Sequence, residues 1–210
     1  MQSRRVKLLL ATTNAGKIRE ITALLSDLPL ELVSLREAGV TRLVDETGAT
    51  IMDNAILKAR EYARMTGMLT LADDSGIEVD ALDGRPGVHS ARFAGVDASD
   101  DQRNAYLLGL LKDVPPARRG ARFRCVVAVA TPDLHVETSE GTVEGVIARE
   151  PKGKNGFGYD SIFFAPSLGK HMGEISFEEK NKISHRAKAT AGAKPIVERL
   201  IRSISEASQR

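Results

Sequence analysis

The sequence contains no tryptophan, and only 4% of its 210 residues are aromatic. An interior must therefore be built mainly from aliphatic side chains. Cysteine is almost absent as well, because Cys125 is the only one. A disulfide within the chain is thus excluded, and the strand-like run that follows, Val126–Ala130, indicates that Cys125 is a small buried residue in a reducing compartment.

A strong excess of charge and a long apolar run are also lacking. The formal net charge is +2, which does not favour a nucleic-acid polymer as partner. No segment approaches the roughly 18 apolar residues of a membrane-spanning helix. The start, Met1–Lys7, is polar and basic, and the apolar run Leu8–Leu10 after it is too short for a signal peptide. We therefore expect a cytoplasmic protein that does not bind a membrane.

Apolar periodicity predicts strands and helices that alternate early, followed by a region where strands dominate. The predicted strands are Val6–Ala11, Leu30–Leu35, Met68–Ala72, Ile77–Leu82, Arg122–Thr131 and a pair within Leu134–Ile147 that turns around Ser139–Gly141. The predicted helices are Lys17–Leu25, Thr50–Thr66 with a stop at Gly67, Asp100–Leu111, and Phe177–Ile204 with a candidate break at Pro195. This order predicts an α/β fold with a mixed sheet, parallel early and antiparallel later, in one domain over residues 1–210.

An acidic pair, Asp73 and Asp74, follows the apolar run Met68–Leu71 and precedes Ser75 and Gly76. Carboxylates at the end of a buried strand are poorly solvated and favour a cation or a proton as partner. Metal-assisted phosphate chemistry is often built in such places. The alternative is a turn or helix cap, which the Asp-Asp-Ser-Gly run also favours.

Three further segments carry candidate site residues. Thr12–Lys17 lies between a strand and a helix, where backbone amides and Lys17 favour a phosphate, although the same residues would also make an ordinary helix cap with a solvated lysine. Asp45 and Glu46 precede a helix, so they either complement its dipole or join Asp74 around Mg²⁺, which takes one or two protein carboxylates. Phe157, between two glycines, either stacks on a nucleobase or, with Tyr159, plugs the core.

The segment Glu178–Ala187 mixes acidic and basic residues, as a solvated helical face does. Its His185 and Arg186, next to Ser184, could instead donate hydrogen bonds to a base or a phosphate.

Taken together, these motifs resemble the inosine triphosphate pyrophosphatase family, whose members act on non-canonical purine nucleoside triphosphates. They occur in the family's order and span nearly the whole chain. The matching segments are Thr12–Lys17, Glu46–Gly48 with Asn54 and Ala55, Ala72–Gly76, Gly84–Phe93, Gly156–Asp160 and Ile183–Ala187. One departure is His171 and Gly173 within Gly169–Glu174, where relatives usually have Thr or Ser and Ala. We expect that change to affect only a surface loop.

The resemblance implies hydrolysis of ITP, dITP and XTP to the monophosphate and pyrophosphate with Mg²⁺. It also implies an elongated mixed sheet flanked by helices, two lobes around a central cleft, and a homodimer. By position, Glu46 and Asp74 would bind the metal, and Asp74 would activate the water that attacks the α-phosphorus. The implied substrate contacts are Thr12, Thr13, Asn14, Ala15, Gly16 and Lys17 for the triphosphate, Ser75 for phosphate, and Phe157, Gly158, Tyr159, Asp160, Lys180, His185 and Arg186 for base and sugar.

Two other functions share some of these residues. A pyrophosphatase for modified pyrimidine or methylated nucleoside triphosphates would use the same early lysine loop and acidic pair. A non-catalytic nucleotide-binding or RNA-associated module would use Phe157 and the basic residues, but it would not require Asp74 with Glu46. Magnesium-dependent turnover distinguishes the enzymes from the module.

Overall fold

The computed structural model describes residues 5–207; Met1–Arg4 and residues 208–210, which the predicted domain includes, lie outside the described residues. The strands are β1 (Val6–Leu10), β2 (Leu30–Ser34), β3 (Leu69–Val79), β4 (Gly120–Ala130), β5 (Val136–Ile147), β6 (Phe163–Ala165) and β7 (Lys170–His171). The α-helices are α1 (Ala15–Leu24), α2 (Ile51–Thr66), α3 (Asp100–Leu110), α4 (Phe177–Ile183) and α5 (His185–Ala207). Among these residues, no helix has the length and apolar character needed to cross a membrane.

The strands form one mixed sheet in the order β2-β1-β3-β4-β5-β6-β7. The pairs β1–β2 and β1–β3 are parallel, whereas β5–β6 and β6–β7 are antiparallel. The predicted fold class, a mixed sheet with parallel pairing early and antiparallel pairing later, is therefore confirmed. The chain divides into two compact units, and the boundary within β3 falls between Asp74 and Ser75. The predicted arrangement of two lobes around a cleft stays a prediction.

The first unit comprises the chain up to Asp74, Val126–Gly141, and the part from Arg186 onward. Its helix α2 forms where the sequence predicts it, because both ends are capped. The Thr50 hydroxyl accepts from the backbone N–H of Asp53 at 3.0 Å, while the Asp53 carboxylate accepts from the N–H of Thr50 at 3.0 Å. At the other end Gly67 adopts φ +64°, a left-handed cap that glycine tolerates. Ala55 and Ala59 of α2 are fully buried.

The second unit comprises Ser75–Cys125 and Thr142–His185. Its core is aliphatic with a small aromatic centre, in which the rings of Phe123 and Phe163 lie 4.4 Å apart. Cys125 is buried and forms no disulfide, as the sequence predicts.

Asp73–Gly76 does not form the predicted turn, because β3 runs unbroken from Leu69 to Val79. A close approach replaces the turn: a Cβ atom at Gly76 would overlap the carbonyl oxygen of Gly87. The Ser90 hydroxyl accepts the backbone N–H of Ile77 at 2.9 Å and donates to the carbonyl of Gly87 at 2.6 Å. Glycine is thus needed here for contact with a neighbouring segment rather than for a left-handed backbone.

The predicted strand pair around Ser139–Gly141 is also wrong, because β5 is one strand through these residues. Small residues occur there because Ser139 packs on α5, where a Cβ atom at Gly192 would overlap its hydroxyl. The turn comes earlier, between β4 and β5. Thr131 donates its N–H to the carbonyl of His135 at 2.9 Å, and Leu134 has φ +69°.

The C-terminal helical region breaks at Ser184, which has an extended ψ of 159°, and not at Pro195. Proline removes the N–H that would reach the carbonyl of residue 191. Ala191 and Pro195 are both exposed, so water can satisfy that carbonyl, and α5 continues. The buried Ala193 and Val197 anchor the helix on either side.

The segment around His171 is not the predicted surface loop. His171 is 6% exposed and Met172 is fully buried. The Nδ1 atom of His171 donates to the carbonyl of Ser161 at 2.7 Å, because a carbonyl oxygen can only accept. The departure from the family pattern therefore lies in the interior of the second unit.

Candidate active site

Asp73 is a buried carboxylate held by two cations of the first unit. Its Oδ2 atom lies 3.0 Å from Nζ of Lys17 and 3.0 Å from Nε of Arg186. Burial alone would raise the pKa of Asp73, but the charges of Lys17, Arg186 and Lys58 outweigh burial and hold it well below its usual range. Asp73 is therefore ionised and already paired with Lys17 and Arg186, which indicates a structural role in positioning Lys17.

Arg186 also forms an ion pair with Glu20 of α1. Both side chains are buried, Arg186 being 1% and Glu20 3% exposed. The family resemblance assigns Arg186 to the base and sugar, whereas the structure brings it to two carboxylates. No sequence motif singles out Glu20, although its position three residues after Lys17 places both on one face of α1.

Lys58 lies between two carboxylates in the first unit. Its Nζ atom is 2.5 Å from Oε1 of Glu46 and 3.1 Å from Oδ1 of Asp74. The structure thus brings the two predicted metal ligands to one nitrogen atom, although they are 28 positions apart in the sequence. No sequence motif assigns a role to Lys58, although Asn54 and Lys58 lie four residues apart on one face of α2.

The electrostatics of this group favour a charged lysine and a basic Asp74. Burial raises the pKa of Asp74, and this effect exceeds the opposing influence of Lys58 and Lys17. Burial would lower the pKa of Lys58, but the charges of Asp74, Glu46 and Asp73 outweigh it and raise that pKa. An aspartate whose pKa is raised binds a proton more readily than an ordinary surface aspartate.

Asn54 holds the loop that carries Glu46. Its Oδ1 atom accepts the backbone N–H of Gly48 at 2.7 Å, and the residue is fully buried. A Cβ atom at Gly48 would lie 2.7 Å from that same oxygen, so only glycine fits without a shift. One face of α2 therefore supplies both the support for the loop through Asn54 and the cation through Lys58.

The segment Thr12–Lys17 forms a capped helix start. Asn14 is the N-cap of α1, and its Oδ1 atom accepts the backbone N–H of Lys17 at 3.0 Å. The Thr12 hydroxyl accepts the N–H of Asn14 at 3.2 Å. Thr13, Asn14 and Ala15 are exposed, and Gly16 is half-buried in the first turn. The cap alternative holds for Asn14, but Lys17 is not the solvated lysine of that alternative, since it reaches Asp73.

In the second unit, Phe157 lies beside a buried ion pair. Lys180 pairs with Asp160, and its Nζ atom lies 4.6 Å from the centre of the Phe157 ring. The Asp160 carboxylate also accepts the N–H of Phe157 at 2.9 Å. Phe157 is half-buried, whereas Lys180 and Asp160 are buried. The structure thus brings together three of the residues predicted to contact the base.

Tyr159 takes the core position that the alternative interpretation gives it. Its hydroxyl donates to the carbonyl of Ser90 at 2.8 Å, and burial raises its pKa to about 12. His185 is buried as well, and its ring stacks on Phe123 at 4.7 Å between centres. Ser75 is half-buried and begins the second unit directly after Asp74.

The sequence model of the Ham1 family matches residues 8–196. The chain belongs to the Ham1 family. A dITP/XTP pyrophosphatase from Desulforamulus reducens is 51% identical over 195 residues, which cover 93% of this chain and 97% of that protein. A dITP/XTP pyrophosphatase from Shigella flexneri is 50% identical, with 87% of this chain and 93% of that protein covered. These relatives confirm the predicted family and the predicted class of enzyme, a nucleoside triphosphate pyrophosphatase.

Solved structures of the Ham1 family have the same fold. A HAM1 protein from Coxiella burnetii is 41% identical, with a TM-score of 0.84 over 91% of this chain and 98% of that one. A protein from Mycobacterium abscessus, described as a nucleoside-triphosphatase and dITP/XTP pyrophosphatase, is 44% identical, with a TM-score of 0.75 over 90% of this chain and all of that one.

The donor atoms at Glu46 and Asp74 fit the chemistry of Mg²⁺. Both are carboxylate oxygens, and both lie against one cation, Lys58. Within residues 5–207, no group of three or more histidine, cysteine, aspartate or glutamate side chains could hold a metal ion alone. Such a set suits an ion that completes its coordination with phosphate oxygens and water, as Mg²⁺ does in nucleotide enzymes.

Proposed function

We propose that this Ham1-family protein hydrolyses non-canonical purine nucleoside triphosphates, namely dITP, XTP and ITP, to the monophosphate and pyrophosphate. The relatives that carry the name dITP/XTP pyrophosphatase support this substrate class. The proposal rests on one observation: the carboxylates of Glu46 and Asp74 both form ion pairs with the Nζ atom of Lys58. A cation between two acidic groups from separate parts of the chain is a suitable setting for phosphate chemistry.

Asp74 serves as the general base in this proposal. Burial raises its pKa, which favours transfer of a proton from water to its carboxylate. The activated water attacks the α-phosphorus and expels pyrophosphate. Lys17 and the backbone amides at the start of α1 hold the triphosphate, and Asp73 keeps the Lys17 ammonium in place.

Glu46 and Asp74 would hold Mg²⁺ when substrate binds. The ion, when bound, neutralises charge on the phosphates and polarises a phosphoryl oxygen. Asp74 and Glu46 raise the pKa of Lys58 despite its burial, so Lys58 stays charged and balances the two carboxylates whose oxygens would serve as ligands.

Phe157, with Gly158, Asp160 and Lys180, supplies the surface for the base. Phe157 stacks on the purine, a contact worth about 1–3 kcal/mol in single-strand binders. Inosine and xanthine accept hydrogen bonds at position 6, where adenine donates. His185 is the candidate donor at that position. With ATP bound, such a donor would be left unpaired, and this loss would reject ATP.

A substrate panel with and without Mg²⁺ tests this function. Pyrophosphate release should be fast from ITP, dITP and XTP, at least a hundredfold slower from ATP and dTTP, and absent in excess EDTA. Preference for dTTP or a methylated nucleotide would establish the alternative pyrophosphatase. Nucleotide binding without turnover in Mg²⁺ would establish the binding module.

A homodimer and a cytoplasmic location follow from the resemblance and the composition, and both stay predictions. Light scattering during gel filtration should give twice the chain mass of 22.7 kDa. A mass equal to one chain at micromolar concentration would contradict the dimer. A nucleic-acid polymer remains unexpected as a partner because the net charge is small, and a membrane remains unexpected because no segment approaches about 18 apolar residues.

A further inference from the structure

Two side chains of α3 bind the backbone of Gly158 in the second unit. The Oδ2 atom of Asp100 accepts the N–H of Gly158 at 2.6 Å, and Nδ2 of Asn104 donates to the carbonyl of Gly158 at 3.1 Å. Asp100 and Asn104 are four residues apart, so they lie on one face of the helix. The two hydrogen bonds hold both the backbone N–H and the backbone carbonyl of Gly158, the residue that follows Phe157.

Gly158 adopts φ +65°, a left-handed backbone that glycine tolerates, and because glycine is conformationally free the two bonds restrict it to this conformation. Asn104 also donates to the hydroxyl of Ser161 at 3.1 Å, so it spans the loop from its middle to its end. Asn104 is 5% exposed, and its Oδ1 atom has no hydrogen-bond partner among residues 5–207. A buried amide that leaves one atom unsatisfied costs stability, which indicates that its two donated bonds are retained for another purpose.

Asp100 is itself held in place. Its carboxylate pairs with Arg103, and Arg103 donates to the carbonyl of Ala91 at 3.0 Å. The first turn of α3 is also capped, since the Ser99 hydroxyl accepts the N–H of Gln102 at 3.2 Å. The start of α3 is therefore a rigid support, and a rigid support is what a recognition loop needs for discrimination.

We propose that Asp100 and Asn104 are positioning residues that hold the Phe157 loop in the conformation that selects the purine base. The proposal rests on the proposed function and deepens it. Neither side chain is assigned to touch the substrate; each acts through Gly158. Displacement of a recognition surface by about 1 Å can cost roughly a hundredfold in rate, so loss of either bond should weaken base recognition. It should leave the phosphate site unchanged, because that site belongs to other residues.

The test compares Asp100→Ala and Asn104→Ala with Asp101→Ala. Asp101 lies in the same first turn and is exposed, so its removal has the same effect on helix charge without reaching the loop. Calorimetric titration with IMP and, separately, with pyrophosphate, both in Mg²⁺, measures the two halves of the site without turnover.

We expect IMP to bind about tenfold more weakly to both variants, which is about 1.4 kcal/mol. Pyrophosphate should bind as to the wild type, and the ratio of kcat/KM for ITP over ATP should fall about tenfold. Asp101→Ala should match the wild type. Asp100→Asn, which keeps an acceptor oxygen, should recover most of the loss. If Asp100→Ala does not fold, Asn104→Ala carries the test, because it removes the other bond to Gly158.

Equal weakening of IMP and pyrophosphate, or IMP affinity equal to that of Asp101→Ala, would overturn the positioning role. Failure of the proposed function is a separate outcome, because the wild type would then neither hydrolyse ITP nor bind IMP.

Discussion

Asp73 and Asp74 are adjacent in β3, yet their carboxylates meet different cations. Asp73 lies 3.0 Å from Lys17, whereas Asp74 lies 3.1 Å from Lys58. Neighbouring side chains of a strand point to opposite faces, so one chain segment supplies two acidic groups with separate surroundings. The surroundings lower the pKa of Asp73 and raise that of Asp74. This divergence supports the proposal that Asp73 has a structural role and Asp74 a catalytic one.

Asp74→Asn should abolish turnover while nucleotide binding largely survives. The amide keeps the shape of the side chain but cannot accept a proton from water, and loss of a general base costs about 10²–10⁴-fold in rate. Pyrophosphate release from ITP and calorimetric binding of ITP measure the two effects. Full activity of this variant in Mg²⁺ would refute the assignment of Asp74 as base.

Asp73→Asn should act mainly on stability. It leaves Arg186 and Lys17 without their shared carboxylate in the interior, and breaking a buried pair costs about 3–5 kcal/mol. Urea unfolding measures the change in free energy. If Asp73→Asn were as stable as the wild type but inactive, Asp73 would belong to the catalytic group instead.

Lys58→Met should destabilise the protein by about 3 kcal/mol or more, because Glu46 and Asp74 would then face each other without a cation. The control is Lys7→Met, which removes the exposed ion pair with Glu31 and should change stability by less than about 1 kcal/mol. Both are measured by urea unfolding at low ionic strength. Equal effects of the two substitutions would contradict the buried role of Lys58.

Gly76→Ala should destabilise by about 1–3 kcal/mol, because the added methyl group would overlap the Gly87 carbonyl and lie 2.9 Å from the Ser90 hydroxyl. Gly109→Ala is the matched control. It lies in α3, where the added Cβ would have no atom within 4 Å apart from the adjacent backbone of its own helix, and alanine there should stabilise by about 0.5–1 kcal/mol. Opposite signs in thermal unfolding are the expected result; a stabilising effect at both positions would show that β3 accommodates a methyl group.

The phenol of Tyr159 should lose its proton at a higher pH than an ordinary tyrosine. Its pKa rises from 10.0 to about 12 through burial, so the folded protein keeps this phenol protonated where the unfolded chain loses the proton. The stability it contributes is complete below pH 10 and disappears as the pH rises from 10 to 12. Absorbance at 295 nm should show a late ionisation step.

Tyr159→Phe should remove that step, whereas Tyr106→Phe, which changes an exposed tyrosine, should leave it in place. At neutral pH, Tyr159→Phe should also lose about 1 kcal/mol with the hydrogen bond to Ser90. A late step that persists in Tyr159→Phe would assign it to another tyrosine.

Sequence patterns located most elements but misplaced three boundaries. The Asp-Asp-Ser-Gly run favours a turn by composition, yet Gly76 serves the approach of Gly87. Ser139–Gly141 favours a hairpin, yet Ser139 faces Gly192 of α5. Pro195 favours a helix break, yet its lost hydrogen bond faces solvent. In each case a contact with a distant segment, or its absence, outweighed the local preference.

Features that depend on residues close together in the sequence could be predicted from the sequence alone. The helix over Thr50–Thr66, its stop at Gly67 and the order of the motifs need only local chemistry, and they lead to the fold class and the Ham1 family. Ion pairs between residues far apart in the sequence could not be predicted in this way. Arg186 pairs with Glu20, which is 166 positions away in the sequence. The pairing of Lys58 with Asp74 depends on how β3 and α2 pack together. Burial then sets the charge states, because the cost of an isolated charge in the interior is decided by the three-dimensional neighbours and not by the residue type.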